Sequence, residues 1–240
     1  MILKFIYPLV KYFSALNVFK YLTFRSAYAA VTGLLCAFIL GPMVIRWLKI
    51  LKFGQSIRKD GPESHLQKQG TPTMGGILII ASVLVSTLLW ADFSNIQVWI
   101  VLFVLVGFGI VGFMDDWLKI KQKNSDGLSA RSKLVGQFAV SLIAVLLLYF
   151  NRGPQTTLLY LPFIKTAVVD LGAFWIPIAI VYVMAWSNAV NLTDGLDGLA
   201  IGLVILSVIT FSILTYITGR ADWSAYLNIP FIKNAGELTV

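Results

Sequence analysis

Two adjacent carboxylates, Asp115 and Asp116, stand where a long apolar stretch of the sequence ends. Like charges at the edge of an apolar segment repel each other unless a cation or another partner compensates them. A purely structural explanation is an exposed helix end on which Lys119 pairs with Asp115, four residues earlier. However, a negative pair at a helix C-terminus also opposes the helix macrodipole. The position of the pair therefore favours a functional role.

A second polar cluster, at residues 187–198, contains amides and carboxylates and no basic residue. Asn191, Asp194 and Asp197 are spaced three residues apart, so in a helix they would lie within about 120° of one face. Two glycines in the same stretch would permit a broken turn and the close approach of a ligand. Oxygen ligands of this kind suit Mg²⁺ or a polar ligand. The alternative is an ordinary polar turn between two helices.

A third stretch, residues 68–76 (KQGTPTMGG), leads directly into an apolar run. Its glycines and proline predict an irregular backbone, whose exposed N–H groups can face a phosphate. Lys68 would add a positive charge there. The glycine pair at its end is also explained by close helix packing, so this stretch carries little weight by itself.

The elements that position these residues must lie in a membrane. The chain has 240 residues, of which 58% are hydrophobic and only 12% are charged, and its mean hydropathy is +0.82. Soluble domains carry roughly 25% charged residues, and disordered chains are poor in apolar residues. The single cysteine, Cys36, and the single histidine, His65, exclude an intrachain disulfide, a cysteine cluster and a multi-histidine metal site within this sequence.

Six apolar stretches approach the length of about 20 residues that a membrane helix needs. We predict an all-α, polytopic integral membrane protein with one membrane domain over residues 1–240. Before the bundle, Met1–Phe24 should form an interfacial helix, the alternative being a poor first span, and an external turn or hairpin should lie within 151–171. The six predicted spans are roughly 26–48, 73–92, 96–114, 134–150, 172–188 and 199–218.

The basic residues predict the orientation. Six lie in 46–71 and five in 115–133, whereas only two lie in 151–171 on the opposite side. Basic loops face the cytoplasm, so we expect residues 49–71, 115–133 and 187–197 there and both ends of this chain outside. This topology accounts for most of the net charge of +8, and we therefore expect no nucleic-acid partner.

All three polar clusters fall on the predicted cytoplasmic side. Paired aspartates beside lysines and arginines fit phosphate chemistry with Mg²⁺, and the apolar helices would offer a groove for a lipid co-substrate. A secondary transporter is a distant alternative, because it would place its acidic residues near helix midpoints rather than at span ends. A non-enzymatic membrane scaffold is a further alternative.

Together these motifs resemble the phospho-N-acetylmuramoyl-pentapeptide transferase family. The resemblance rests on 68–76, on GFMDDWLK at 112–119 and on SNAVNLTDGLDGLA at 187–200, with support from DGPESH at 60–65. It covers essentially the whole chain. The wider superfamily of polyprenyl-phosphate sugar-1-phosphate transferases shares the aspartate pair and the Asn-Asp-Gly segment, so a GlcNAc-1-phosphate transferase is the nearest alternative. The GTPTMGG stretch points to the muramoyl branch.

The resemblance implies a multi-pass enzyme of peptidoglycan synthesis in the bacterial cytoplasmic (inner) membrane, with its active face towards the cytoplasm. Its substrates would be UDP-MurNAc-pentapeptide and undecaprenyl phosphate, its products lipid I and UMP, and its cofactor Mg²⁺. The resemblance leaves open a homodimer, and it leaves open whether transfer is direct or passes through an aspartyl phosphate.

The resemblance also implies roles for individual residues. Asp115 and Asp116 would handle the lipid phosphate, with Asp115 as proton acceptor, and Lys119 and Lys133 would lie near phosphates. Members of the family have about ten spans, and the main Mg²⁺ ligand is expected in the part beyond Val240. We therefore expect residues 1–240 to be inactive alone. The residues implied around the uridine and its diphosphate are Lys68, Thr73, Asn191, Asp194, Gly195, Leu196 and Asp197.

Overall fold

The computed structural model describes residues 2–50, 74–122, 127–151, 153, 156–161, 164, 169–195 and 198–240. The described residues form eight α-helices, three 3-10 helices and one pair of short strands. The 3-10 helices are Ser14–Lys20, Gly172–Phe174 and Ala235–Thr239. The other elements are α1 (Ile2–Leu9), α2 (Leu22–Ile50), α3 (Gly76–Trp90), α4 (Ile96–Gln122), α5 (Ala130–Phe150), β1 (Leu158–Leu159), β2 (Val169–Asp170), α6 (Trp175–Thr193), α7 (Leu199–Thr218) and α8 (Ala221–Leu227).

Five helices in the described part of the chain are long and apolar enough to cross a membrane: α2, α4, α5, α6 with the 3-10 turn before it, and α7. Helix α3 is equally apolar but has 15 residues, or about 22 Å, against a hydrocarbon core of about 30 Å. The predicted all-α, polytopic membrane architecture is confirmed, and the bounds of α7 coincide with the predicted span.

Most of the described residues of the predicted loop 115–133 are helical, which corrects the sequence-based boundary. Helix α4 continues from the end of its apolar part to Gln122, and α5 already begins at Ala130. With 27 residues, α4 is about 40 Å long and exceeds the thickness of a hydrocarbon core. Hydropathy detects only the apolar part of such a helix. Its polar end remains helical because Lys119 and Lys121 in the last turn complement the negative end of the macrodipole.

Two further predicted segments contain regular secondary structure. The N-terminal 24 residues form no single helix: α1 and the 3-10 helix Ser14–Lys20 precede α2, and the Lys20 ammonium lies 5.7 Å from the centre of the Tyr7 ring. In the predicted hairpin segment, β1 and β2 pair antiparallel, with Leu158 opposite Asp170.

The chain divides into two compact units. One unit consists of 28–89 and 102–140, and its helices approach closely at glycines. A Cβ atom built on Gly107 of α4 would lie 2.7 Å from Val140 of α5. The Ser86 hydroxyl of α3 donates to the Ala29 carbonyl of α2 at 2.5 Å. Small residues and interhelical hydrogen bonds are the usual means of packing helices in lipid.

The other unit consists of 1–27, 90–101 and 141–240, and a buried ion pair ties its segments together. The Arg25 guanidinium donates to Glu237 at 2.5 and 2.8 Å and to the Trp90 carbonyl at 3.3 Å. The backbone N–H of Asp92 also donates to Glu237, at 3.2 Å. A Cβ atom on Gly219 would clash with the Gly236 nitrogen, so the 3-10 helix Ala235–Thr239 packs directly against the end of α7.

Candidate functional site

The aspartate pair lies within α4 and not at its C-terminus. Asp115 and Asp116 stand about two turns before Gln122, at the point where the apolar part of the helix ends. The Lys119 ammonium binds Asp115 Oδ2 at 2.7 Å and Asp116 Oδ1 at 3.3 Å. The pair is therefore not at the helix C-terminus, where the sequence predicted it, and does not oppose the macrodipole there. The structural alternative that the sequence offered, pairing with Lys119, is present.

The two carboxylates have different surroundings. The Asp115 side chain is 14% exposed, and its Oδ1 accepts a hydrogen bond from the Leu128 backbone N–H at 2.9 Å. The positive charge of Lys133 in α5 also acts on Asp115. Both carboxylate oxygens of Asp115 are thus occupied by donors. The Asp116 side chain is 38% exposed, so it is the more accessible acid of the pair.

The second polar cluster lies at the broken junction between α6 and α7. Asn191 is in the last turn of α6, which ends at Thr193, and Asp194 follows with non-helical backbone angles of φ −77° and ψ 54°. Gly198 precedes α7 in the left-handed region, with φ 83°. The condition for a shared helical face is therefore not met at Asp194, because the helix stops before it, and Asp197 lies outside the described residues. The broken turn that the glycines predicted is confirmed.

The structure thus brings Asp115, Asp116 and Lys119 into contact, and the positive charge of Lys133 acts on Asp115. Asn191, Asp194 and Gly195 belong to the other compact unit, where all three are exposed. Sequence reasoning did not identify the Leu128 N–H as a ligand of Asp115. The Asp-Gly dipeptide at 126–127 was the available signal, because such dipeptides mark tight turns. Four predicted site residues lie outside the described residues: Lys68, Thr73, Leu196 and Asp197.

The described acids fit a magnesium site only in part. Among the described residues no group of three histidine, cysteine, aspartate or glutamate side chains comes together. Mg²⁺ in phosphate-handling sites is commonly held by one or two carboxylates, substrate phosphates and water. Asp116 has one longer contact, with Lys119 at 3.3 Å, and its half-buried carboxylate suits one such position, whereas both oxygens of Asp115 are occupied, by Lys119 and Leu128. A magnesium ion at this position would need further ligands from other residues, from the substrate or from water.

Comparison with known proteins agrees with this arrangement of motifs. Residues 98–233 match the family described as Glycosyl transferase family 4. This range contains both the aspartate pair and the polar junction. Residues 68–80 match the Phospho-N-acetylmuramoyl-pentapeptide-transferase signature 1, on the third stretch singled out in the sequence.

Similar proteins named phospho-N-acetylmuramoyl-pentapeptide-transferase occur in several bacteria. Those of Citrifermentans bemidjiense and Geobacter sp. are 50% identical over 240 residues, and that of Thermodesulfovibrio yellowstonii is 49% identical over 241 residues. Each comparison covers 100% of this chain and 67% of the relative. Since about half of the residues are identical over the whole length of this sequence, the chain belongs to the phospho-N-acetylmuramoyl-pentapeptide-transferase family of membrane enzymes of peptidoglycan synthesis.

Proposed function

We propose that this chain carries a large part of the site that transfers phospho-MurNAc-pentapeptide from UDP-MurNAc-pentapeptide to undecaprenyl phosphate, giving lipid I and UMP. The observation that carries the proposal is the cluster of Asp115, Asp116, Lys119 and Lys133 where the apolar part of α4 ends. The phosphate group of a lipid lies at the bilayer surface, and charged side chains at the end of an apolar helical segment would lie at the same level. The names of the relatives support phospho-N-acetylmuramoyl-pentapeptide as the transferred group.

Phosphoryl transfer depends mainly on positioning and on neutralising charge. A phosphate monoester is already largely ionised near neutral pH, so little proton transfer is needed. In our proposal Asp115 orients the attacking phosphate oxygen and accepts its remaining proton. A carboxylate has about four lone-pair sites, and the bonds from Lys119 and Leu128 occupy two of them. Lys119 and Lys133 screen the phosphate charge.

We propose that the junction after α6 holds the uridine and its diphosphate, together with Lys68 and Thr73. Asn191, Asp194 and Gly195 are exposed there, and the helix break leaves backbone groups available to a ligand. Leu196 and Asp197 complete the segment in this proposal.

Mg²⁺, when bound, would neutralise charge on the diphosphate. In this chain Asp116 is the residue we propose to contribute to holding it. The chain spans 67% of the length of its relatives, and we propose that the main ligand lies in the remaining third of such proteins. Residues 1–240 alone, given both substrates and Mg²⁺, should accordingly form no lipid I.

We propose that both compact units belong to one domain in the bacterial inner membrane, with the aspartate pair facing the cytoplasm. The balance of basic residues between the two sides supports this orientation. For a GlcNAc-1-phosphate transferase, the nearest alternative, UDP-GlcNAc would replace UDP-MurNAc-pentapeptide as the accepted donor, so assaying both separates the two.

The main test replaces each aspartate by its amide in the whole protein. Asp115→Asn and Asp116→Asn keep the size of the side chain and remove the charge, so transfer should fall by several orders of magnitude, as expected when groups central to a phosphoryl transfer are lost. Insertion into membranes should be unchanged. Asp222→Asn, on the exposed helix α8, is the matched control. Near-normal turnover in both variants would mean that the pair is only a helix surface feature.

A further inference from the structure

The backbone at Gly127 lies directly against the Asp115 carboxylate. Gly127 has a left-handed φ of +56°. A Cβ atom added there would lie 2.6 Å from Asp115 Oδ1, 2.8 Å from Lys119 Cε and 3.1 Å from the Asp115 carbonyl oxygen. Cβ atoms essentially never come closer than 3.0 Å to other heavy atoms. The conformation therefore favours glycine, and any residue with a Cβ atom would have to displace the Asp115 carboxylate or the Lys119 side chain.

The next residue supplies a hydrogen bond to the same carboxylate. The Leu128 N–H donates to Asp115 Oδ1 at 2.9 Å, while the Lys119 ammonium binds Oδ2 at 2.7 Å. With a donor on each oxygen, the carboxylate cannot rotate without breaking one of the two bonds. Lys119 belongs to the same helix as Asp115, so the Leu128 N–H is the contact that links the carboxylate to the following segment.

The position of this N–H is determined by the start of α5. The Ser129 hydroxyl oxygen accepts the Ser132 N–H at 3.2 Å, which is the pattern of an N-cap. The Ser129 carbonyl accepts the Lys133 N–H at 3.0 Å. The turn therefore runs from a left-handed glycine through Leu128 directly into a capped helix.

We propose that Gly127 and the Leu128 N–H form a positioning element that fixes the Asp115 carboxylate for transfer and leaves Asp116 the accessible acid. The inference rests on the proposed function of the aspartate pair. It assigns different tasks to two identical neighbours, and it makes Gly127 and Leu128 positioning residues that act through Asp115 without touching substrate.

The first test compares Gly127→Ala and Gly127→Asn in the whole protein. Asparagine tolerates the left-handed conformation, so a purely conformational role would spare Gly127→Asn. Both variants add a Cβ atom against Asp115, and misplacement of a catalytic group by about 1 Å lowers rates by about 10²-fold. We expect kcat to fall by about that factor in both, with the KM for UDP-MurNAc-pentapeptide nearly unchanged. Normal kcat in Gly127→Asn would overturn the inference.

A second pair of variants adds no atoms at position 127. Leu128→Pro removes the N–H donor, whereas Leu128→Ala keeps it. We expect the proline variant to show the same selective loss of kcat and the alanine variant to remain close to the parent enzyme. Equal activity of the two would show that the hydrogen bond is unimportant and would overturn the inference, even if the Gly127 variants failed to insert.

A stability measurement separates this inference from the proposed function. Gly127→Ala should lower the melting temperature in the parent protein and do so less in an Asp115→Ala background, because the contacted carboxylate is absent there. Equal losses of melting temperature in both backgrounds would show that the added Cβ atom does not act through the Asp115 carboxylate. Normal turnover of Gly127→Ala while Asp115→Asn is inactive would refute the positioning role alone. Normal turnover of both Asp115→Asn and Asp116→Asn would refute the proposed function.

Discussion

Lys119 is the residue that joins the two aspartates. It binds Asp115 at 2.7 Å and Asp116 at 3.3 Å, so the pair together with this lysine carries one net negative charge instead of two. The sequence presented pairing with Lys119 and catalysis as alternatives, but the two are compatible. An acid held in place by a lysine is better positioned for chemistry than a mobile one.

The role of Lys119 can be tested against a lysine on the same helix. Lys119→Ala should lower kcat by about 10²-fold, comparable to the loss of one preorganised electrostatic group in an active site. Lys121 is exposed in the same last turn, but residues two apart on a helix do not face each other. Lys121→Ala should therefore retain nearly full activity in the lipid I assay. Equal losses in the two variants would show that only the total positive charge of the region matters.

The packing of α4 explains how its polar end is held near α5. Gly107 faces Val140 of α5, and Gly136 of α5 faces Val111 of α4, where an added Cβ would lie 3.0 Å away. Two reciprocal glycine–valine contacts bring the helices close together, as small residues do in membrane helix pairs. This approach sets the position at which α5 begins.

A glycine series along α4 tests this packing. A Cβ at Gly107 would lie 2.7 and 2.9 Å from the two methyl groups of Val140, whose side chain is stiff. In Gly107→Ala, overpacking should lower the free energy of unfolding by roughly 1–3 kcal/mol. This loss is typically larger than the ~1 kcal/mol gained because alanine has the higher helix propensity. Gly109→Ala should lose less stability, because the atom 2.6 Å from its added Cβ is Cδ1 at the flexible end of the Ile80 side chain.

Gly112→Ala is the matched control, because a Cβ atom added there would have no neighbour within 4 Å. Its melting temperature in detergent should stay at or above that of the parent protein. If all three variants lost the same stability, the cause would be a general effect of alanine in α4 and not contact with α5.

On the scale of the chain, the ion pair between Arg25 and Glu237 joins residues 212 positions apart. The side chains are 6% and 17% exposed. Removing one partner of a buried pair leaves an uncompensated charge and typically destabilises a protein by roughly 3–5 kcal/mol. Arg25→Ala and Glu237→Ala should therefore each lower the stability of the protein to that extent, measured by unfolding in detergent.

Arg220 and Asp222 provide the exposed counterpart in the same compact unit. Their side chains approach to 2.7 Å, but they are 45% and 61% exposed. The Arg220 guanidinium holds the pKa of Asp222 below its usual value, yet solvent screens such a pair. Arg220→Ala should hardly change the unfolding transition. A loss as large as that of Arg25→Ala would show that burial does not distinguish the two pairs.

Orientation in the membrane is testable with single cysteines in a Cys36→Ser background. Gln122, at the end of α4, and Asn228, just after α8, are both exposed and should lie on opposite sides. A membrane-impermeant thiol reagent applied from outside should label Asn228→Cys and spare Gln122→Cys. Outside-only labelling at Gln122 would refute the proposed orientation.

The sequence by itself determined the class of fold, most of the helices and the family. Lipid requires about 20 apolar residues per span, so hydropathy located α7 to the residue and α2 to within a few residues. Turn-forming glycines likewise predicted the break between α6 and α7. These signals are local, because they depend on residues a few positions apart. The family motifs needed only their order and spacing.

Only the tertiary structure decided which groups meet. Nothing in the local sequence shows that the Leu128 N–H reaches Asp115, that Gly107 faces Val140, or that Arg25 binds Glu237. Such contacts depend on the path of the backbone over many residues. The same limit explains the polar end of α4. Charged residues there mark the exit from lipid, so a hydropathy profile ends the span at that point, although the helix continues. The difference between Asp115 and Asp116, identical neighbours in the sequence, therefore arises from the turn that packs against only one of them.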